Sequence, residues 1–191
     1  MSYGKILRLT SSFVRLADTA VFAPGDEISN HATAGSVVRP TFDLSGFTQG
    51  RILGAGVGIV SDSTVVIVAL NFDMFIFKTA DVPAAVGNNT TFPLTGLQRS
   101  KAVGRFLFDD GGWQNQLGAY TAGSSAYQYV PAGYPLPLAT PTLFHTRPPG
   151  FVFAFRGGET PTLTAAFQVL AALDPVAEVD TYNIVLDVEA L

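Results

Sequence analysis

Thr181-Tyr182-Asn183-Ile184-Val185-Leu186-Asp187-Val188-Glu189 is the stretch that decides the fold class. Tyr182, Ile184, Leu186 and Val188 fall on one side of an extended chain, and Thr181, Asn183, Asp187 and Glu189 fall on the other. Side chains alternate across a strand with a period of two, so this reads as a half-buried strand. The same pattern recurs upstream, where Leu163, Ala165, Phe167, Val169 and Ala171 oppose Thr162, Thr164 and Gln168. Asp174-Pro175 and an acidic stretch lie between the two, which suits a connection between neighbouring antiparallel strands.

Working outward, the longest strand candidate spans residues 64–78. Val66, Val68, Leu70, Phe72, Met74 and Ile76 form an unbroken apolar stripe, while Val65, Ile67, Phe75 and Phe77 surround Asn71 and Asp73 on the other face. That pattern predicts a strand with the core on one side and partial cover on the other, with a bulge near Asn71 as the alternative to one long strand. Further strands are expected near residues 6–16, 36–44, 51–60, 103–108, 127–130 and 151–156. Pro24-Gly25-Asp26, Gly87-Asn88-Asn89, Asp110-Gly111-Gly112 and Gly157-Gly158 supply turns between them. Helix signals are nearly absent, and no fixed-period repeat is visible. Many short strands with Gly/Pro-rich turns predict an all-β, antiparallel, jelly-roll-like sandwich, a single domain over residues 1–191.

Composition bounds the function. The chain has 191 residues, no cysteine and two histidines, so disulfides, thiolate metal sites and thiol nucleophiles are excluded. Charged residues make up 14% of it, against roughly 25% in an average soluble domain, while 48% are hydrophobic. No run approaches the roughly 18 apolar residues of a membrane-spanning helix; the longest, Val65 to Leu70, stops at Asn71. The N-terminus alternates and lacks a signal-peptide apolar region. The apolar excess is therefore expected to be covered by other protein. A net charge of −4 with no basic patch argues against nucleic acid as a partner.

Several motifs could carry chemistry. Gly54-Ala55-Gly56-Val57-Gly58 looks like a dinucleotide fingerprint, but no helix signal follows and the third glycine comes one residue early. The expectation is a strand whose glycine face lies close to another backbone or a large aromatic. His31 and His145 stand in polar or proline-rich connections rather than clustered on strands as a cupin metal site requires. No G-x-S-x-G elbow is present. Asp109-Asp110-Gly111-Gly112 offers carboxylates but lacks calcium-loop spacing, so a solvated hairpin end is expected. Asp73 and Asn71 are expected on an exposed or inter-subunit strand face. These readings predict no enzyme, no catalytic residue, no metal and no cofactor.

Residues 109–150 form an aromatic and proline-rich excursion, with Trp113, Tyr120, Tyr127, Tyr129, Tyr134 and six prolines from Pro131 to Pro149. Such a stretch is functional when ordered, and Tyr and Trp are enriched at interfaces. The five aromatics are the candidate contact cluster; the competing roles are core filling and stacking on a sugar ring.

Arg15-Leu16-Ala17-Asp18-Thr19-Ala20-Val21-Phe22-Ala23-Pro24-Gly25-Asp26 resembles a phrase of tailed-phage head structural proteins, approximately R-x-A-D-T-x-x-Y/F-A-x-G-D, followed by a polar segment, here Ile28 to Gly35. Phe75-Ile76-Phe77, the Asn88-Asn89 turn and Gly104-Arg105-Phe106 are also similar to that family. The resemblance covers about half the chain, and residues 113–150 depart from it. It implies a decoration or cement protein of the bacteriophage head, located in the virion, with the major capsid protein and itself as partners. A homo-oligomer is expected, with a trimer as the first form considered. The alternative is a carbohydrate-binding jelly roll of a tail or host-recognition protein.

Overall fold

The computed structural model describes residues 5–15, 17, 21–61, 71–92, 94–109, 112–115, 125–132, 150–172 and 179–191. Eleven strands lie among them: β1 (Ile6–Arg15), β2 (Glu27–Ile28), β3 (Thr41–Asp43), β4 (Gln49–Ser61), β5 (Phe72–Lys78), β6 (Gly104–Phe108), β7 (Gln114–Asn115), β8 (Ser125–Pro131), β9 (Phe151–Ala154), β10 (Thr162–Val169) and β11 (Asp180–Ala190). One short helix, α1 (Gly96–Ser100), starts at a capping box in which Thr95 and Gln98 satisfy each other's backbone N–H groups.

All the strand pairs are antiparallel and form two sheets. The first runs β1-β11-β4-β8-β7, with β9 on the same edge of β4 as β8. The second runs β2-β10-β5-β6, with β3 beside β2 along β10. The pairings nest: β5 with β6, β4 with β8, β2 and β3 with β10, β1 with β11. That is one long hairpin rolled up on itself, the topology of a jelly roll. β10 and β11 therefore belong to opposite sheets, so the connection carrying Asp174-Pro175 joins the two layers rather than neighbouring strands. Local alternation fixes a strand's faces and is silent on which sheet it enters.

The main core fills the space between the sheets. Tyr182, Ile184, Leu186 and Val188 enter it from β11, Ile52, Ala55, Val57 and Ile59 from β4, and Phe72, Met74 and Ile76 from β5. Phe13 stacks on Tyr182 within its own sheet and reaches Phe167 of the other at 5.4 Å. A register shift opposite Asp187 and Val188 inserts Leu53 into β4, so the inward parity changes from Ile52 to Ala55. The strand expected at residues 36–44 shortens to β3: Ala34–Ser36 form a 3-10 turn and Pro40, which has no N–H for a ladder, precedes the paired residues.

Phe75 and Phe77 on the other face of β5 lie outside this core. They form a second cluster with Phe92, Leu94 and Ala166, against which Val82, Val86 and Ala102 pack. Residues 79–103, the connection from β5 to β6, thus fold back over the outer face of the second sheet. Residues 62–70, which hold the first part of the expected long strand, lie outside the described residues.

Candidate functional site

The outer face of the first sheet begins with the three glycines of β4. Gly54, Gly56 and Gly58 point away from the core, because Ala55, Val57 and Ile59 point into it. β8 pairs alongside with Gly56 opposite Tyr129 and Gly58 opposite Tyr127. Each tyrosine leans diagonally over the preceding glycine. A Cβ on Gly54 would lie 2.6 Å from Tyr129 Cζ, and one on Gly56 would lie 2.5 Å from Tyr127 Oη. The glycine track is therefore a bed for two aromatic side chains, as expected of a strand approached closely by large aromatics.

A polar group fixes the Tyr129 ring from the far side. Tyr129 Oη donates to Asp187 Oδ2 at 2.8 Å, and Arg8 Nε and Nη2 donate to Asp187 at 2.9 and 3.1 Å. The guanidinium of Arg8, by its hydrogen bond first, holds the Asp187 carboxyl below its ordinary range. Burial against the glycine track, followed by the bond to Asp187, pushes the Tyr129 phenol up to about 12. Tyr127 is raised too, chiefly by burial. Further along, Arg51 on β4 donates to Glu189 on β11, directly opposite it.

These pairs neutralise the charges of β11 and β4 within the face. Around them stand Ile6, Val14, Val60 and Val152, all exposed, and Thr10, Ser12 and Asn183. The result is a broad sheet face of low net charge, with two tyrosines held in place. It resembles an interface more than a cleft for chemistry.

The candidate aromatics part company here. Tyr127 and Tyr129 come together on the outer face. Trp113 sits half-buried against Phe72 and Phe108, at ring separations of 6.0 and 6.2 Å, beside the main core. Tyr120 and Tyr134 lie outside the described residues, as do His145 and Asp110. Sequence reasoning missed Arg8, Asp187 and the apolar residues of β1. The signal for Asp187 was its place on the outward face of β11, but its partners are strands far away in the chain.

Asp73, expected on an exposed or inter-subunit face, is buried. Arg105 on the adjoining β6 donates to it at 2.8 Å, and the covering segment encloses that face. A pair buried on both sides joins Glu27 to Arg39, whose Nε donates to Glu27 Oε1 at 2.8 Å. Arg39 Nη2 is 2.6 Å from the same oxygen but makes no hydrogen bond, so its contact is Coulombic. Arg39 also lies over the Phe92 ring at 4.9 Å. His31 Nδ1 accepts from Thr33 N, a local turn bond.

Among the described residues there is no group of three His, Asp or Glu side chains able to hold a metal ion, and no helix long and apolar enough to cross a membrane. A shallow concavity of about 290 Å³ between residues 46–48 and 155–161 contains Glu159, whose carboxylate accepts from Lys78 Nζ and Arg156 N.

What fold and face define together is a jelly-roll β-sandwich with one open, charge-balanced, tyrosine-bearing sheet face. No family model and no curated protein matches the chain. Among solved structures, a chain of the T=1 particles derived from infectious bursal virus aligns with all of this chain and 41% of its own length, at 14% identity and a TM-score of 0.19. A score that low carries no likeness of fold. This chain spans less than half of that one.

Proposed function

We propose that this protein is a non-enzymatic structural protein of a virion, a decoration or cement protein that stabilises a phage head by binding the major capsid protein and copies of itself. The observation that carries the reading is the outer face of the first sheet. Its charges are satisfied internally, Ile6, Val14, Val60 and Val152 stand exposed around it, and Tyr127 and Tyr129 are held against the glycine track. Rigid tyrosines lose little conformational entropy on binding, and a surface with its charges already paired leaves few ions to desolvate. A protein that binds only the assembled lattice stabilises it by mass action and needs no catalytic group. Jelly rolls include viral capsid domains, lectins and cupins, so the fold by itself is an analogy and the face is the argument.

The test is co-sedimentation of the purified protein with heads from which it has been omitted. Saturable binding is expected, with at least a tenfold loss of affinity in the Tyr127→Ala, Tyr129→Ala double variant, roughly the loss of 1.4 kcal/mol or more. Protein that stays in the supernatant with expanded heads would overturn the reading. Glycan-array binding abolished by the same variant would transfer the face to carbohydrate recognition.

A further inference from the structure

β1 forms one edge of the first sheet, and its ladder to β11 fixes which of its backbone groups look outward. Ala190 N donates to Lys5 O, so Lys5 and Ala190 are a hydrogen-bonded pair in a register that then runs without a shift from Ile6 opposite Glu189 to Arg15 opposite Asp180. Hydrogen-bonded and non-bonded pairs alternate along an antiparallel ladder. The odd residues Leu7, Leu9, Ser11 and Phe13 therefore spend their N–H and C=O groups on β11. The even residues Ile6, Arg8, Thr10, Ser12 and Val14 aim theirs at the open edge, where no described strand pairs with them.

That edge is ten residues long and has no proline and no bulge; its charges are Arg8, tied to Asp187, and Arg15, turned inward to Asp180, with Lys5 just before the strand. Its side chains also match themselves. In an antiparallel pairing with a second β1 about a twofold axis at Thr10, Thr10 faces Thr10 of the second copy, Arg8 faces Ser12, and Ile6 faces Val14. All five outward-bonding residues gain partners. The exposed Ile6 and Val14, 64% and 44% accessible, cover each other at both ends. Pairing about Arg8 instead would set two guanidinium groups opposite each other, a destabilising like-charge pair. Pairing about Ser12 would leave Ile6 and Arg8 beyond the partner strand's described end.

We infer that β1 is a self-association edge, and that two copies of this chain join there about Thr10 to make one continuous antiparallel sheet. The contact is isologous and closes at two, which distinguishes it from a three-fold assembly. It does not depend on the head-binding reading. It leaves the Tyr127 and Tyr129 face on the same side of both copies, where a doubled surface would gain avidity for a repeating lattice.

Light scattering of the full chain, compared with Thr10→Pro, tests it. Thr10 N–H has no ladder partner among the described residues, so proline there removes no ladder bond to β11 and blocks the partner's. A dimeric native chain and a variant of half the mass with an unchanged circular dichroism spectrum are expected. The chain has no cysteine, so Thr10→Cys supplies a second readout free of background. Directly opposed bonded residues have Cα atoms about 5.5 Å apart, within disulfide reach. Oxidation should cross-link Thr10→Cys and leave Ser12→Cys single, since Ser12 faces Arg8. A native monomer, a trimer, a dimer indifferent to Thr10→Pro, or cross-linking of Ser12→Cys in place of Thr10→Cys would each overturn the inference.

Discussion

The two outer faces of this sandwich solve the same problem in opposite ways. On the second sheet, Phe75 and Phe77 face away from the core and are roofed by residues 79–103 of the same chain. On the first sheet the corresponding positions of β4 are glycines, filled by Tyr127 and Tyr129 from the next strand, and no described segment lies over them. The roofed face holds a buried pair, Glu27 with Arg39, and a buried carboxylate, Asp73, reached by the half-exposed Arg105. On the open face Arg8 of the Arg8–Asp187 pair is 68% exposed, while the Arg51–Glu189 pair is mostly shielded within the sheet surface. The difference teaches that an apolar excess in the composition has two destinations. Part of what composition assigns to an outside partner is covered by the protein's own β5–β6 connection.

The comparison breaks most strongly at Glu27. Glu27→Gln removes the counter-charge from a buried Arg39 and weakens the acceptor for Val86 N. Breaking a buried pair from one side costs about 3–5 kcal/mol. Urea unfolding should show a loss of that size, with amide exchange rising first in residues 79–103. A loss below about 1 kcal/mol would mean the roof is held by its apolar cluster alone.

A pair of glycine substitutions sharpens the contrast. Gly87 has φ +105°, and a Cβ there would overlap the Ala32 carbonyl, a backbone group that cannot swing aside. Gly87→Ala should cost about 1–3 kcal/mol from strain and crowding together. Gly54→Ala meets only the Tyr129 ring, which has solvent to move into. It should cost about 1 kcal/mol, the worth of the lost hydrogen bond. A thermal denaturation cycle with Tyr129→Phe should make the Gly54 effect smaller and leave that of Gly87 unchanged. Equal costs at the two glycines would erase the distinction between a roofed and an open face.

The smallest effect is on pH dependence. Tyr129 in the fold has its pKa raised to about 12 from an ordinary 10.0, so the neutral phenol is favoured by folding. The stabilisation is complete below the unfolded value and is lost as pH rises from about 10 toward 12. Buried Tyr182 is raised as well, also by desolvation first, and adds to the same alkaline loss. Tyr129→Phe should flatten part of the fall in melting temperature over that window, at a neutral-pH cost of about 1 kcal/mol for the lost bond to Asp187. An identical alkaline slope in the variant would show that Tyr129 ionises freely.

Much of this was legible in the chain. The alternation at residues 181–189 and 162–169 gave correct faces, and the two-sided apolar pattern around Phe75 and Phe77 announced cover on both sides. The glycine run announced a close neighbour, another backbone or a large aromatic, and left open which of the two it was. Asp73 was misplaced because its partner Arg105 lies 32 residues away on β6, and a lone acid on a strand reads as exposed until its neighbour is known.

Sequence alone determined the two sides of most strands, because side-chain direction follows a local period of two, broken in β4 where the register shifts at Leu53. Only the tertiary structure decided which strands lie side by side: that β10 and β11 part to opposite sheets, that Tyr129 meets Asp187, that residues 79–103 roof one face and leave the other open. Those pairings join residues far apart in the chain, and their free energy comes from burying surfaces against each other. No local pattern encodes the identity of the surface that will arrive.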